Sequence, residues 1–291
     1  MAFAVCPLLP RELEREIFET AAMRHPKLIP TLLQVCHRVH AWVEPLLYRV
    51  LLLENFSDPQ VSAVEHKSPS FLHNSVRHLF FSTDASIWEL IQERLLGCTR
   101  IISLFILGPW KPEFLLVLEK LRPQKLYLSV PLSTSEWAQS TLNQSLFLSI
   151  THLELFRGDE YDNGTTWEDW AQLATLPSLT HLCLSKPLAR DILSPSIIAC
   201  PRLVVAIGSF GDLDQTSARE FAQGLTISDP RLVIMAILIY KEDWEISAQG
   251  GDDFWSRAEG FVARKRRGEI ENSCYFLQES TPLPTTTLPL A

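Results

Sequence analysis

The amino-acid sequence predicts an α/β solenoid: a small three-helix module at the N-terminus, an irregular array of strand–helix units, and a C-terminal capping helix. Three observations carry that expectation. A short apolar pattern recurs seven times at intervals of 22–29 residues, helix-like segments separate its copies, and a proline-punctuated apolar stretch precedes the first copy.

The first element is read from LLPRELEREIF (8–18). Leu9, Leu13 and Ile17 recur every fourth residue, the spacing of one helix face, behind Pro10 at the helix-opening position. Glu12 and Glu14 fall in the first turn, where carboxylates favour the helix dipole. The helix is expected from about Pro10 to Met23, ended by His25-Pro26. A second helix is expected to open at Pro30 and carry Leu32, Val35, Cys36, Val39 and Val43 on one side, with Trp42 near its end. Pro45 is expected to break it before the strand-like VLLL (50–53). About 40 residues rarely make a self-sufficient core. Some of these side chains must therefore rest on something else, either the open end of the repeat array or a second molecule.

The array follows. Its pattern is an apolar residue, two others, an apolar residue, one other, then an apolar residue. VRHLFF starts at Val76, IISLFI at Ile101, ITHLEL at Ile150, LTHLCL at Leu179 and LVIMAI at Leu232, with weaker copies at Pro123 and Leu203. Leucine-rich repeats have periods of about 20–29 residues. Between the copies, 87–96, 113–121 and 167–176 place apolar residues three and four apart, as helices do. One such unit cannot bury its apolar face alone, and stacking supplies the core. An ordinary doubly wound domain is the competing architecture, but the Gly-rich strand-to-helix turn that serves its ligand is missing from the sequence. The ninth repeat position lacks the usual Asn, so the array is a degenerate one, placed at 51–248.

If each copy is a strand, its third and fifth positions share one face. Those positions hold His78, Phe80, Phe105, Lys125, Tyr127, His152, Glu154 and His181, together with Ser103 and Cys183. Aromatic and ionisable groups mixed in this way suit protein recognition, so this face is expected to hold a substrate protein, unless the chain's own loops or C-terminal segment cover Phe80 and Phe105. His152 and His181 belong to consecutive copies and could approach one another. The T-H-L words read as repeat consensus, however, and histidines of a binding face are expected there rather than a metal site.

The last helix is expected within 249–270. GGDDFWSRAEGFVARKRRG has aspartates at its start, four cations at its end, Gly268 as a stop, and a buried stripe of Phe254, Ala258, Phe261 and Val262. The tail, 276–291, is expected to be disordered. The acidic loop at 157–164 places Asp159, Asn163 and Gly164 as a calcium loop would, but Tyr161 and Trp170 stand where oxygen ligands belong, and it reads as solvated surface.

Composition narrows the function classes. A formal charge of −8 argues against a nucleic-acid surface. The longest aliphatic run, 232–240, is nine residues, against the roughly 20 that span a bilayer. Six cysteines without a C-x-x-C pair read as reduced thiols, and the expected compartment is the cytoplasm, the nucleus or both. No hydrolase, metalloprotease, kinase or phosphate-loop signature is present in the sequence. No catalytic residue, metal or cofactor is expected.

LPRELEREIF followed by LLQVCHRVHAWVEPLLY resembles an F-box, over roughly residues 8–50, and the chain as a whole resembles fungal F-box proteins with leucine-rich-repeat-like arrays. The matching positions are Leu9, Pro10, Glu12, Leu13, Ile17, Val35, Cys36, Val39 and Trp42. The resemblance implies a non-enzymatic substrate receptor of a cullin-RING (SCF-type) ubiquitin ligase. It would bind a Skp-type adaptor through these residues and a protein substrate through the repeats. A repeat scaffold without a ligase is the alternative.

Overall fold

The seven copies of the apolar pattern are seven strands. In the computed structural model, which describes residues 9–130, 134–142, 145–156, 166–211, 214–237 and 240–278, the chain divides into two compact units, Met1–Pro123 and Gln124–Ala291.

The first unit opens with helices α1 (Arg11–Arg24), α2 (Ile29–Leu32) and α3 (His37–Leu47). The expected second helix is thus two, separated by a turn at 33–35, and α3 runs through Pro45 instead of stopping there. The proline stands in the last turn, where it forfeits a single backbone bond just before the helix ends. Ala22, Ile29, Val39, Trp42 and Val43 form a core of their own, with Phe18, Leu32, Leu33 and Leu46 packed around it. Two guanidiniums, of Arg11 and Arg38, lie 6.0 Å from the centre of the Trp42 ring.

Strand β1 (Val50–Leu53), helices α4 (Pro59–Glu65) and α5 (Pro69–Ser75), strand β2 (His78–Ser82), helix α6 (Ala85–Leu90) with a π-helical turn (Ile91–Leu95), strand β3 (Ser103–Leu107) and helix α7 (Phe114–Leu121) complete the unit. The Lys67 ammonium, just after α4, reaches Glu44 of α3 at 2.7 Å and lies over the Tyr48 and Phe71 rings. That joins the helical module to the strand–helix array. β1, β2 and β3 pair in parallel, with Val50 opposite His78 and His78 opposite Ser103.

The second unit contains β4 (Lys125–Ser129), α8 (Thr134–Thr141), β5 (His152–Phe156), α9 (Trp167–Trp170), β6 (His181–Ser185), α10 (Lys186–Ala199), β7 (Val205–Phe210), α11 (Gln215–Gln223), β8 (Leu232–Ala236), α12 (Tyr240–Ala248), α13 (Phe254–Arg266) and β9 (Phe276–Leu277). β4 to β9 are parallel neighbours in chain order. The architecture is therefore α/β, with parallel strands in both units and a helical region at the N-terminus.

The second and fourth strand positions supply one core layer. Leu126, Leu128, Leu153, Leu155, Leu182 and Leu184 are fully buried, on the face opposite the third and fifth positions. The latter face is also closed, with polar residues among its buried side chains. Its cover in the second unit is α13. Phe254, Ala258, Phe261 and Val262 are buried as the sequence stripe predicts, and Trp255 and Lys265 are buried with them. Lys265, one of the four cations at the end of the helix, donates from Nζ to the Leu232 carbonyl at 2.8 Å.

The expected disordered tail begins with order: Phe276 and Leu277 pair with Ile234 and Met235. Residues 279–291, and the acidic loop at 157–164, lie outside the described residues. No helix among the described residues is long and apolar enough to cross a membrane.

Candidate functional site

Two places collect the residues singled out by sequence. The first is the outer surface of the N-terminal helices. Leu9, Leu13 and Ile17 are 45, 47 and 54% exposed, and Val35, in the turn after α2, is 54% exposed. Pro10, Glu12 and Cys36 are exposed as well. Val39 and Trp42 are not on this surface. They belong to the internal core, Val39 fully buried and Trp42 nearly so. The helical module therefore has a core made of its own residues, and Leu9, Leu13, Ile17 and Val35 lie outside that core, exposed. Leu13 and Ile17, four residues apart on α1, share one face of that helix.

The second place is the strand face at the third and fifth positions. The sequence leaves two outcomes for it, an open face or one covered by the chain's own loops or C-terminal segment. It is closed in both units: His78, Phe80 and Phe105 are buried in the first, and Tyr127, Glu154 and His181 in the second. Phe80 and Phe105, directly opposite in register, stack with ring centres 4.6 Å apart. In the second unit the closure is the work of α13 and the residues before it. Trp255 meets the His152 and His181 rings edge-on and donates from its indole N–H to the Tyr127 hydroxyl at 3.1 Å. Asp253 comes within 3.8 Å of the Lys125 ammonium. The substrate-binding role expected of these eight residues requires a free face, and the protein's own C-terminal helix occupies it in the second unit.

The local chemistry under α13 is unusual. His152 and His181 are paired in register, and their rings lie 4.0 Å apart with 1° between their planes. Burial, then the neighbouring His181 and Lys125, pushes His152 down to about 2. Burial also lowers His181, although Glu259 on α13, whose carboxylate is 2.7 Å from Nε2, pulls the other way. Glu154 is fully buried, and neither carboxyl oxygen has a hydrogen-bond partner among the described residues. Burial, reinforced by the charge of Asp243, holds it well above the usual carboxylate range. Burial likewise raises the Cys183 thiol beside it.

His152, His181 and Glu259 present ligand atoms that all lie within 4.8 Å of one another. Sequence reasoning found the histidine pair and missed Glu259, which is 78 residues from His181 and sits on the half-exposed side of a helix read for its apolar stripe alone. Trp255 was also missed, because it lies off that stripe.

No protein-family model matches the chain, and no curated protein is similar to it.

Proposed function

We propose that this protein is a non-catalytic substrate receptor, whose N-terminal helices dock a Skp-type adaptor of a cullin-RING ubiquitin ligase. The observation that carries the reading is the exposed stripe of Leu9, Leu13 and Ile17 on a helical module that already has an internal core. An amphipathic helix that keeps aliphatic residues in water at four-residue spacing gains free energy by laying them in an apolar groove. The F-box resemblance of the same residues names the kind of groove.

In this reading the parallel strand–helix units stack as a degenerate leucine-rich-repeat solenoid. The receptor acts by proximity: the adaptor holds the N-terminal module, a substrate is held on the array, and the bond chemistry belongs to other subunits. Because the third and fifth strand positions are filled, the substrate surface is an exposed flank of the array and not the strand face.

Co-purification of the full chain with a purified Skp-type adaptor tests the reading. The parent should form a complex, and Leu13→Asp with Ile17→Asp should abolish it. Both side chains are about half exposed, so thermal stability should change by only a fraction of a kcal/mol, roughly the ±0.5 of ordinary surface substitutions. A parent chain that forms no complex, or a double variant that unfolds, overturns the docking claim and leaves a repeat scaffold without a ligase.

A further inference from the structure

His152 and His181 stack face to face, with ring centres 4.0 Å apart and 1° between their planes. Their Nε2 lone pairs lie in the ring planes and run parallel, so they do not converge on one ion. What the pair can exchange is protons. Thr180 Oγ1 lies 2.8 Å from His181 Nδ1 and 3.1 Å from the Thr151 carbonyl, and Glu259 Oε1 lies 2.7 Å from His181 Nε2. A His181 ring protonated on both nitrogens satisfies every one of these contacts. Nε2–H donates to Glu259, Nδ1–H donates to the Thr180 hydroxyl, and that hydroxyl donates to the carbonyl. His152 has a threonine at Nδ1, with Thr151 Oγ1 at 2.9 Å, but among the described residues its Nε2 has no hydrogen-bond partner. One added proton has a fitted place in the pair, and a second has none.

The charges around the pair act in the same direction. Lys125 on β4 is the in-register neighbour of His152, so a charged His152 would stand between an ammonium and the His181 ring. Beyond His181, the in-register residue on β7 is Val205, which carries no charge. Glu259 of α13 faces His181, and Asp253, just before α13, lies 3.8 Å from the Lys125 ammonium. Asp243 of α12 is engaged by Arg257 at 2.8 Å and by the Phe254 N–H at 2.7 Å. Glu154, two residues on along β5, hydrogen-bonds to neither ring. Trp255 of α13 closes the stack, edge-on to both imidazoles.

We propose that the stacked pair is a pH-sensitive latch on the second unit: α13 stays docked on β5 and β6 while the two rings carry at most one proton beyond the neutral pair, and a second proton undocks it. Linkage fixes the sign. Burial, then His181 and Lys125, depresses His152 in the docked state. Once α13 leaves, the ring returns to the ordinary histidine value of about 6.5. The undocked state therefore binds more protons as pH falls below that value, and docking weakens about tenfold per pH unit. Glu154 and Asp243 act with the opposite sign, because burial raises both and docking takes up their protons. The latch is therefore read as a difference between the parent and a variant that lacks only the His152 charge. It concerns the second unit alone and does not depend on the adaptor reading.

The test uses the full chain and the hydrogen exchange of the Phe261 and Val262 amides, at buried positions of α13, corrected for the intrinsic rate at each pH. Between pH 7.5 and 5.5 the parent should lose roughly tenfold in protection relative to His152→Phe, which keeps a ring in the stack and takes no proton. A second measurement needs no variant. The ring signals of His152 in the folded parent should stay fixed across that range, and in denaturant they should move with a midpoint of about 6.5. Equal pH dependence in the parent and the folded variant, or a His152 that titrates at about 6.5 in the folded chain, overturns the latch and reduces the stack to packing.

Discussion

At the scale of single residues, the informative positions are those whose surroundings contradict their type. Lys265 is buried against Phe261 and Tyr275, with its ammonium 4.9 Å from each ring centre, and burial pushes it down to about 8 from 10.5. The folded side chain releases its proton near pH 8 and the unfolded one near 10.5. Between those values the unfolded state binds more protons, so stability rises with pH there; below pH 8 the fold carries the whole cost of the buried charge. That cost is roughly 3 kcal/mol from the size of the depression. Lys265→Met should remove the gradient, and denaturant midpoints of parent and variant at pH 7.5 and 10 check it: the parent should gain on the variant as pH rises. Gly108 is the opposite kind of position, a residue that fits its place uniquely. Its φ is +120°, and a Cβ there would run into Thr83 Oγ1. Gly108→Ala should destabilise by about 1–3 kcal/mol, the range for strained backbone, and a drop in urea midpoint without a change in slope checks it.

At the scale of elements, strands were legible and helices only in part. The apolar pattern marks all seven strands that it was used to find, and six of them begin at its third position, because its fourth and sixth positions fall on the buried second and fourth residues of those strands. Helices whose periodicity depends on one face were blurred. The expected helix at 87–96 ends in a π-helical turn, that at 167–176 passes into a 3-10 turn at Ala171–Thr175, and α12 left no stripe to read. The N-terminal module shows what spacing alone cannot separate. Leu9, Leu13, Ile17, Val35, Val39 and Trp42 all fit an apolar face, yet the first four point to solvent and the last two inward. Burial follows from which helix meets which, and that is long-range information. The division is testable. Trp42→Ala should cost about 3–5 kcal/mol, as loss of a packed aromatic does, whereas Ile17→Ala should cost almost nothing. Thermal unfolding of the two variants measures the contrast, and equal losses would mean that α1 has no free face.

At the scale of the whole molecule, the candidate site was legible in half. The register that stacks His152 on His181 follows from the repeat, because equal positions in consecutive parallel strands become neighbours. Glu259, Trp255 and Lys265 arrive from a segment outside the repeat, and no periodicity links the two. The consequence is a fold whose second unit depends on its last helix. Residues 254–277 close the face over Tyr127, Glu154 and His181, add β9 to the sheet edge, and bury Phe254, Trp255, Phe261 and Val262. Each large apolar side chain contributes about 1.5–3 kcal/mol when buried, so these four alone rival the roughly 5–15 kcal/mol by which a whole domain is stable. Truncation after Gln249 should therefore do more than open a binding face: it should leave 124–249 without a cooperative fold. Hydrogen exchange should then show β5–β8 losing the protection they have in the full chain, while Val39, Trp42 and Val43 in the N-terminal core keep theirs. Retained protection of β5–β8 would mean that the strands carry the unit unaided and that α13 is a removable cover.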